Sequence, residues 1–361
     1  MESQYQTSRD LGIPYSQNIV DVSVIDSTAR ICVPLGFFVR NPVVGHEKIE
    51  CPAFVILIQH PRGKKILFDL GLRKDTSSFP PTIRNGLPFS PMAAERDVAE
   101  ILREDGHVTL GEGDSIIWSH WHPDHIGDPS TFPPSVELVV GPGAKDFLLP
   151  GYPADPNGLI LESDYAGRHL REVDFSTGLQ IGGFRAVDYF DDGSFYLLDS
   201  PGHAVGHMCA LARTTASTFV FLGADGCHHT GSLRPNQHIP LPKAISPSPF
   251  SIPPYMEDTV CPGALLEAIH PKRSCTVPYY SQLASAPGRD VLAAEAAINK
   301  MIPFDANEDV FVIIAHDKTL LGNIDFFPRM VNEWKEKGWK DHTRWRFLED
   351  FKEAVARSSS T

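Results

Sequence analysis

The sequence predicts an α/β fold built around apolar strands, and three observations predict it. Short apolar runs recur along the chain, among them Ala53–Gln59 (AFVILIQ), Val136–Val140 (VELVV) and FVIIA at 311–315. Between such runs lie segments with helical apolar spacing, such as 93–105 (AAERDVAEILRED), where Val98, Ile101 and Leu102 share a face. Several apolar runs end directly in His or Asp, which places polar chemistry at strand ends. The chain has 361 residues, 42% hydrophobic and 21% charged, enough to bury a sizeable core and too apolar for a disordered chain.

In chain order, residues 1–18 are polar and read as a loose leader, and a single domain is expected over 19–361. From about Val20 to Gln59 the pattern is β-rich. Ala53–Gln59 is a buried strand, His60 to Gly63 a turn, and Lys65–Asp69 (KILFD) the returning strand of a hairpin that breaks at Gly71. Ser115–Trp118 (SIIW) is a short strand that runs into a dense group of His and Asp, and Phe195–Leu198, Met208–Ala212 and Phe219–Leu222 continue the strand series. Residues 233–262 are crowded with proline, which removes ladder donors and fixes φ, so a long irregular loop is predicted there. A loop of this length reads as a functional lid, with Phe250, Ile252 and Tyr255, and later Tyr279 and Tyr280, as candidates to line an apolar pocket. Ala264–Ile269 and Val291–Met301 read as helices. Arg329–Val355 reads as one or two amphipathic helices with Trp334, Trp339 and Trp345 facing a core.

Charge and composition exclude several classes. The 32 Lys and Arg against 45 Asp and Glu give a net charge of −13, which repels phosphate backbones, so no nucleic-acid partner is expected. The longest apolar stretches, Ala53–Ile58 and Val310–Ala315, are far short of the roughly 18–20 residues that span a bilayer. The first residues, MESQYQTSRD, lack the apolar segment of a signal peptide, so a cytoplasmic protein with no membrane partner is expected. The six cysteines are scattered without a CxxC pair and read as reduced thiols.

The strongest chemical signal is His120-Trp-His122-Pro-Asp124-His125, three imidazoles and a carboxylate within six residues after a strand. Packing does not explain such a group. A loop leaving a strand can point His120 and His122 at one cation while Asp124 and His125 face a second, and Zn²⁺ accepts both donor types. Three further candidates follow strands: His203 in SPGHAVGH after FYLLD, Asp225 after FVFLGA, and His316 after FVIIA. No GxSxG elbow and no phosphate-binding P-loop occur in the chain.

The ordered set HxHxDH, His203, Asp225, His316 resembles the metallo-β-lactamase superfamily, from the hairpin at 53–72 to His316, about three quarters of the chain. The resemblance implies an αββα four-layer sandwich, with His120, His122 and His203 on one metal, Asp124, His125 and His316 on a second, and Asp225 bridging them. It implies two zinc ions as cofactors. Asp69 matches the position of the family's Asp-Thr-Gly turn, with Leu70 in place of Thr, and is assigned to orient a metal-bound His. Asp317 and His207 are weaker candidates for the same task. Ser119-His-x-His-x-Asp-His with SPGHxxGH is most similar to the N-acyl-homoserine-lactonase-like branch, although His228 stands where those relatives carry Tyr, three residues past the bridging Asp. The implied activity is ring opening of a small cyclic ester or amide by hydroxide held between two cations, in detoxification or secondary metabolism. Asp124 would shuttle the proton and His228 donate a hydrogen bond to the oxyanion. Cys227 reads as a buried residue and not a ligand. The alternative is a thioesterase, in which Lys335, Lys337, Lys340 and Arg344 form a basic pocket.

Overall fold

The computed structural model describes residues 10–86, 92–256 and 258–358. Two six-stranded sheets form its centre. The first contains β1 (Asp21–Asp26), β2 (Phe54–Gln59), β3 (Lys65–Phe68), β4 (Ser115–Ile117), β5 (Glu137–Val140) and β6 (Leu170–Glu172), lying side by side in chain order. The second contains β7 (Gln180–Ile181), β8 (Phe184–Asp188), β9 (Phe195–Asp199), β10 (Met208–Arg213), β11 (Phe219–Ala224) and β12 (Val310–Ile314), again in order. The predicted hairpin β2–β3 is present, with Ile56 opposite Phe68, and β3, β4 and β5 then run parallel. In the second sheet only the β11–β12 pair is parallel.

The two-residue period of a strand sorts side chains into layers. Phe54, Ile56 and Ile58 of β2 point inward and meet Leu197, Leu222 and Ile313 of the opposite sheet. The alternate residues Val55 and Leu57 point outward and pack with Val98 and Leu102 of a helix at Val98–Asp105. On the far side, Leu211, Phe221 and Val312 pack with Ile298, Met301 and Phe304 of the helix Val291–Ala306. The order is helix, sheet, sheet, helix, and strands buried on both faces explain the near-continuous apolar runs.

Several sequence expectations are revised. Residues 1–9 of the expected leader lie outside the described residues, and the leader is not loose beyond them. Leu11 is buried in the second sheet's core, its carbonyl accepts Gly182 N–H at 2.7 Å, and Arg213 Nη2 donates to Pro14 O at 2.6 Å. The helix expected at 93–105 starts at Val98, because Asp97 and Glu100 close a capping box there, while Met92–Ala93 pairs with Arg30 and Ile31 as a strand. The C-terminal stretch breaks into short pieces, Trp339–Thr343, a 3₁₀ segment Arg346–Phe351 and Lys352–Ser358, since Gly338 adopts φ 67° at the first of them. Its tryptophans divide between cores: Trp334 stacks near Phe311 with ring centroids 5.6 Å apart, and Trp345 packs on the opposite side.

The proline-rich stretch is irregular as predicted, apart from a small pairing of Ala244–Ile245 with Cys261–Pro262. Much of it is packed down against the body. Leu233, Leu241, Ile245 and Phe250 are buried in the core cluster of the second sheet. Arg234, at its start, is buried against Asp305, with Nε to Oδ2 at 2.8 Å, and Nη1 donates to Arg344 O at 2.6 Å. Breaking a buried pair leaves one uncompensated charge. Arg234→Met should therefore lower the unfolding free energy by about 3–5 kcal/mol, and adding Asp305→Leu should restore most of it. A loss below about 1 kcal/mol in urea unfolding would show that the stretch is not held by this pair.

Candidate metal centre

Strand ends position the centre. Where β4 leaves the first sheet, Ser119 and His120 follow, and the chain then turns into a short helix at Pro123–Ile126 that carries Asp124 and His125. Gly127 ends it at φ 48°, and a Cβ there would come within 2.4 Å of Leu70 Cβ, so the turn presses against the Asp69 loop. His203 lies in the loop after β9, beside Gly202 at φ 122°. A side chain on Gly202 would meet Ala294 N at 2.1 Å, which lets the helix Val291–Ala306 pass directly behind the loop. Asp225 follows β11 and His316 follows β12, the one parallel pair of that sheet. Asp69 at φ 66° and Ala224 at φ 42° both adopt left-handed backbone next to the site, a conformation that costs about 1–3 kcal/mol for residues other than Gly.

The predicted ligands converge in two groups. Donor atoms of His120, His122, His203 and Asp225 lie within 4.8 Å of one another, and so do those of Asp124, His125 and His316. His203 Nε2 is 3.2 Å from His120 Nε2 and 2.9 Å from His122 Nδ1. Asp225 stands between the groups. Its Oδ2 is 3.3 Å from His203 Nε2 and 3.6 Å from His120 Nε2, while Oδ1 is 2.9 Å from His316 Nε2 and 3.2 Å from His125 Nε2. Asp124 Oδ2 lies 3.4 Å from His316 Nε2.

Hydrogen bonds on the outer side fix which nitrogen faces inward. His125 Nδ1–H donates to Asp69 Oδ2 at 2.8 Å, and His316 Nδ1–H donates to Pro52 O at 2.7 Å. Ser119 Oγ gives its proton to Asp69 Oδ2 and so accepts from His120 Nδ1 at 3.0 Å. Each of these rings turns its Nε2 toward the centre. Burial pushes the pKa of His120 and His203 well below the ordinary value and that of His122 down to about 4, so these rings are neutral at pH 7 and able to ligate. Burial works the same way on His125, but the carboxylates of Asp225, Asp69 and Asp124 outweigh it and raise its pKa well above the usual value. Neutral imidazole nitrogens converging at about 3 Å, with Asp225 Oδ1 and His125 Nε2 buried and without an aligned hydrogen bond, are the donor set a cation completes.

Other predicted residues fall in different places. Asp69 contacts the His125 ring at Nδ1, the place from which it is expected to orient a ligand. His207 donates Nδ1–H to Ser200 O at 2.8 Å and braces the His203 loop, its ring 5.2 Å from that of His120. Asp317 makes no contact with the centre's donors. It caps the turn Lys318–Leu320 by accepting Thr319 N–H at 3.0 Å. Cys227 is buried in the core, and burial pushes its thiol pKa up. His228 reaches the centre, with Nε2 3.1 Å from Asp225 Oδ2 and burial lowering its pKa to about 4. Tyr279 and Tyr280 are directed elsewhere, to Leu266 O at 3.0 Å and to His46 Nδ1 at 2.6 Å. The basic residues proposed for a thioester pocket are spoken for: Lys335 pairs with Asp309, Lys337 with Asp325, Arg344 with Asp341, and Lys340 is buried on the carbonyls of Asn307 and Val310.

Residues that no sequence pattern singled out face the centre instead. Phe38 stacks on His228 with ring centroids 3.8 Å apart and planes 21° from parallel. Trp121 lies edge-on to His122 at 4.7 Å and touches the half-exposed Phe147. A separate buried group, His46, His229 and Asp350, also brings donors within 4.8 Å. There Gly231 N–H donates to His229 Nδ1 at 3.0 Å, so Nε2 carries the proton toward Asp350 at 3.2 Å, and Lys318 pairs with the same carboxylate. A cation would meet a proton and an ammonium, so this group is a hydrogen-bonded brace.

No family model matches the chain. It is 43% identical over 365 residues to the γ-lactamase FDB1 of Fusarium pseudograminearum, covering 96% of this chain and 87% of that protein. It is 42% identical over 353 residues to the metallo-hydrolase mfmC of Annulohypoxylon moriforme, covering 96% and 91%. Among solved structures, a variant of B. thuringiensis AiiA with N-decanoyl-L-homoserine at its active site superposes with a TM-score of 0.56 at 16% identity, over 87% of this chain and 99% of that one. Among the described residues no helix is long and apolar enough to cross a membrane.

Two outcomes follow from these contacts. Asp69→Asn should weaken metal affinity by about 10–100-fold through a misoriented His125, and unchanged retention under chelator titration would remove Asp69 from that role. The second concerns His46, which burial, and then neighbouring His229, hold at a pKa of about 3. The unfolded chain takes up a proton on this ring near pH 6.5, whereas the folded protein does not, so stability is lost as pH falls from about 6.5 toward 3. Between pH 7 and 5.5 the parent should lose about 1 kcal/mol more than His46→Gln, and equal losses in urea unfolding would refute the assignment.

Proposed function

The chain belongs to the metallo-β-lactamase superfamily, as a relative of the γ-lactamases, and from that premise we propose that it uses two zinc ions to open a small cyclic amide or ester at the His/Asp centre. It is a metal-dependent hydrolase acting on small molecules. The observation that carries the finer reading is Asp225, whose two oxygens face two separate groups of ligand atoms.

His120, His122 and His203 would hold one ion, Asp124, His125 and His316 the other, with Asp225 between. Two divalent cations held there would supply a lowered pKa for a shared water and polarisation of a carbonyl, so no nucleophilic side chain would be required. The protein's own groups do the rest. Asp69 holds the ring of His125. Asp124, whose side chain is 15% exposed against 4% for Asp225, is the carboxylate open to a ligand and passes a proton to the leaving nitrogen or oxygen. His228, neutral at pH 7 and stacked against Phe38, donates its one N–H to the developing oxyanion. The γ-lactamase relative supports an amide ring, and the half-buried aromatic side chains of Phe38 and Trp121 support an apolar one. Cys51, Cys209, Cys227 and Cys261 are buried free thiols, which supports a reducing compartment.

The test is a hydrolysis panel on zinc-loaded protein, with metal measured on the same sample. γ-Lactams or aromatic lactones should be opened by protein carrying about two zinc ions per chain. Asp225→Ala should lose both metal and activity. His228→Ala should keep its metal and lose about 10–1000-fold in turnover. Thioester cleavage without ring opening, or full activity with a single ion, would overturn the reading.

A further inference from the structure

Arg289 lies on the loop that leads into the helix Val291–Ala306. Its guanidinium stands over the ring of Phe38, 5.8 Å from the centroid, and over Phe37 at 5.9 Å. Phe38 in turn stacks on His228, so the cation sits one aromatic ring away from the centre. One nitrogen, Nη1, donates to Phe37 O and Ala284 O, both at 3.0 Å, which fixes the direction of the planar fork. Nε and Nη2 find no acceptor among the described residues, and no carboxylate among them forms an ion pair with Arg289. Its charge is nevertheless felt at the centre: Asp225 opposes the lowering of its pKa by burial, and Arg289 helps to keep His228 neutral.

A half-buried cation without a counter-ion is costly unless a ligand supplies one. A pinned guanidinium with two free donors is a bidentate receptor for a planar anion. Ring opening creates such an anion. Hydroxide adds to the carbonyl carbon, the C–N or C–O bond breaks, its electron pair leaves with nitrogen or oxygen and takes up a proton, and the acyl half departs as a carboxylate. We propose that Arg289 is the carboxylate-recognising residue of this site and makes it selective for ligands with an acidic group. The inference rests on the ring-opening reading. The carboxylate has two possible sources, the one that ring opening creates and one carried as a substituent on the closed ring.

The test measures binding of benzoate and its uncharged counterpart benzamide to zinc-loaded protein by calorimetry, for the parent, Arg289→Met and Arg289→Lys at equal metal content. Arg289→Met should weaken benzoate by at least about tenfold and benzamide by less than about twofold, with Arg289→Lys intermediate because it keeps the charge without the fork. Equal benzoate affinity in the parent and Arg289→Met would overturn the proposal. Kinetics then separate the sources. Weaker inhibition of Arg289→Met by the ring-opened acid of an unsubstituted lactam identifies the product carboxylate. A raised KM confined to a carboxyl-substituted lactam identifies the substituent. If the parent opens no lactam or lactone but the benzoate discrimination persists, the functional reading falls and the carboxylate site stands.

Discussion

One buried carboxylate governs the arrangement of this protein. Asp225 is 3% exposed, and a carboxylate so placed costs several kcal/mol unless charge or hydrogen bonds compensate it. Imidazoles surround it, and Asp225, acting with His316, His125 and His228, is held well below the usual carboxylate range against the effect of burial. Those rings would be poor partners if they could turn. The bonds from His125 to Asp69 and from His316 to Pro52 O hold each outer nitrogen and leave the inner one fixed. The left-handed backbone at Asp69 and Ala224 is the local cost of bringing these groups to the sheet ends, and the sheets behind them are rigid enough to bear it.

The strands were legible because both of their faces are buried, so they appear as short apolar runs. The metal ligands were legible for a related reason. HxHxDH is contiguous, and His203, Asp225 and His316 each sit a few residues past an apolar run, where strand termini gather at one rim. Composition and spacing told less where the backbone is irregular. Proline in 233–262 reports irregular backbone, but the apolar residues between the prolines, Leu241, Ile245 and Phe250, are core residues and hold the stretch down. The tryptophan spacing from 334 to 345 suggested one or two amphipathic helices, and the stretch is instead a series of short pieces, the first of them preceded by Gly338.

Residue type alone also fails to identify a metal site, as the group His46, His229 and Asp350 shows. It offers two imidazoles and a carboxylate at ligating distances, as each half of the centre at Asp225 nearly does. What separates them is the use of the lone pairs. Around Asp225 the outer nitrogens of His125 and His316 are donors, so the inner ones face the carboxylate, where a cation can take the place of a proton, and no ammonium pairs with Asp225. At His229 a backbone N–H takes Nδ1, which forces the proton onto Nε2, and Lys318 already neutralises the carboxylate. The sequence holds no trace of this difference, because Lys318 and Tyr280 come from distant segments and the bond from Gly231 N–H depends on how the turn at His229 folds.

The same division separates chemistry from specificity. Every group assigned to a metal ion follows a strand, and its place is set by sheets whose cores tolerate little displacement. Phe37, Phe38 and Arg289, the residues proposed to meet the substrate, come from the segment after residue 34 and the loop before residue 291, which are joined by the bonds from Arg289 Nη1 to Phe37 O and from Ala284 N–H to Phe38 O. Loops accept substitution more readily than strands do. On the proposed reading, a change at Arg289 therefore acts on which ring is admitted, and it reaches the centre only through Phe38 and His228. A change at Asp69 acts in the opposite sense, since it disturbs the metal ligands before any substrate arrives. On the proposed reading, then, the rim that follows the strands carries the chemistry and the two clasped loops select the ring.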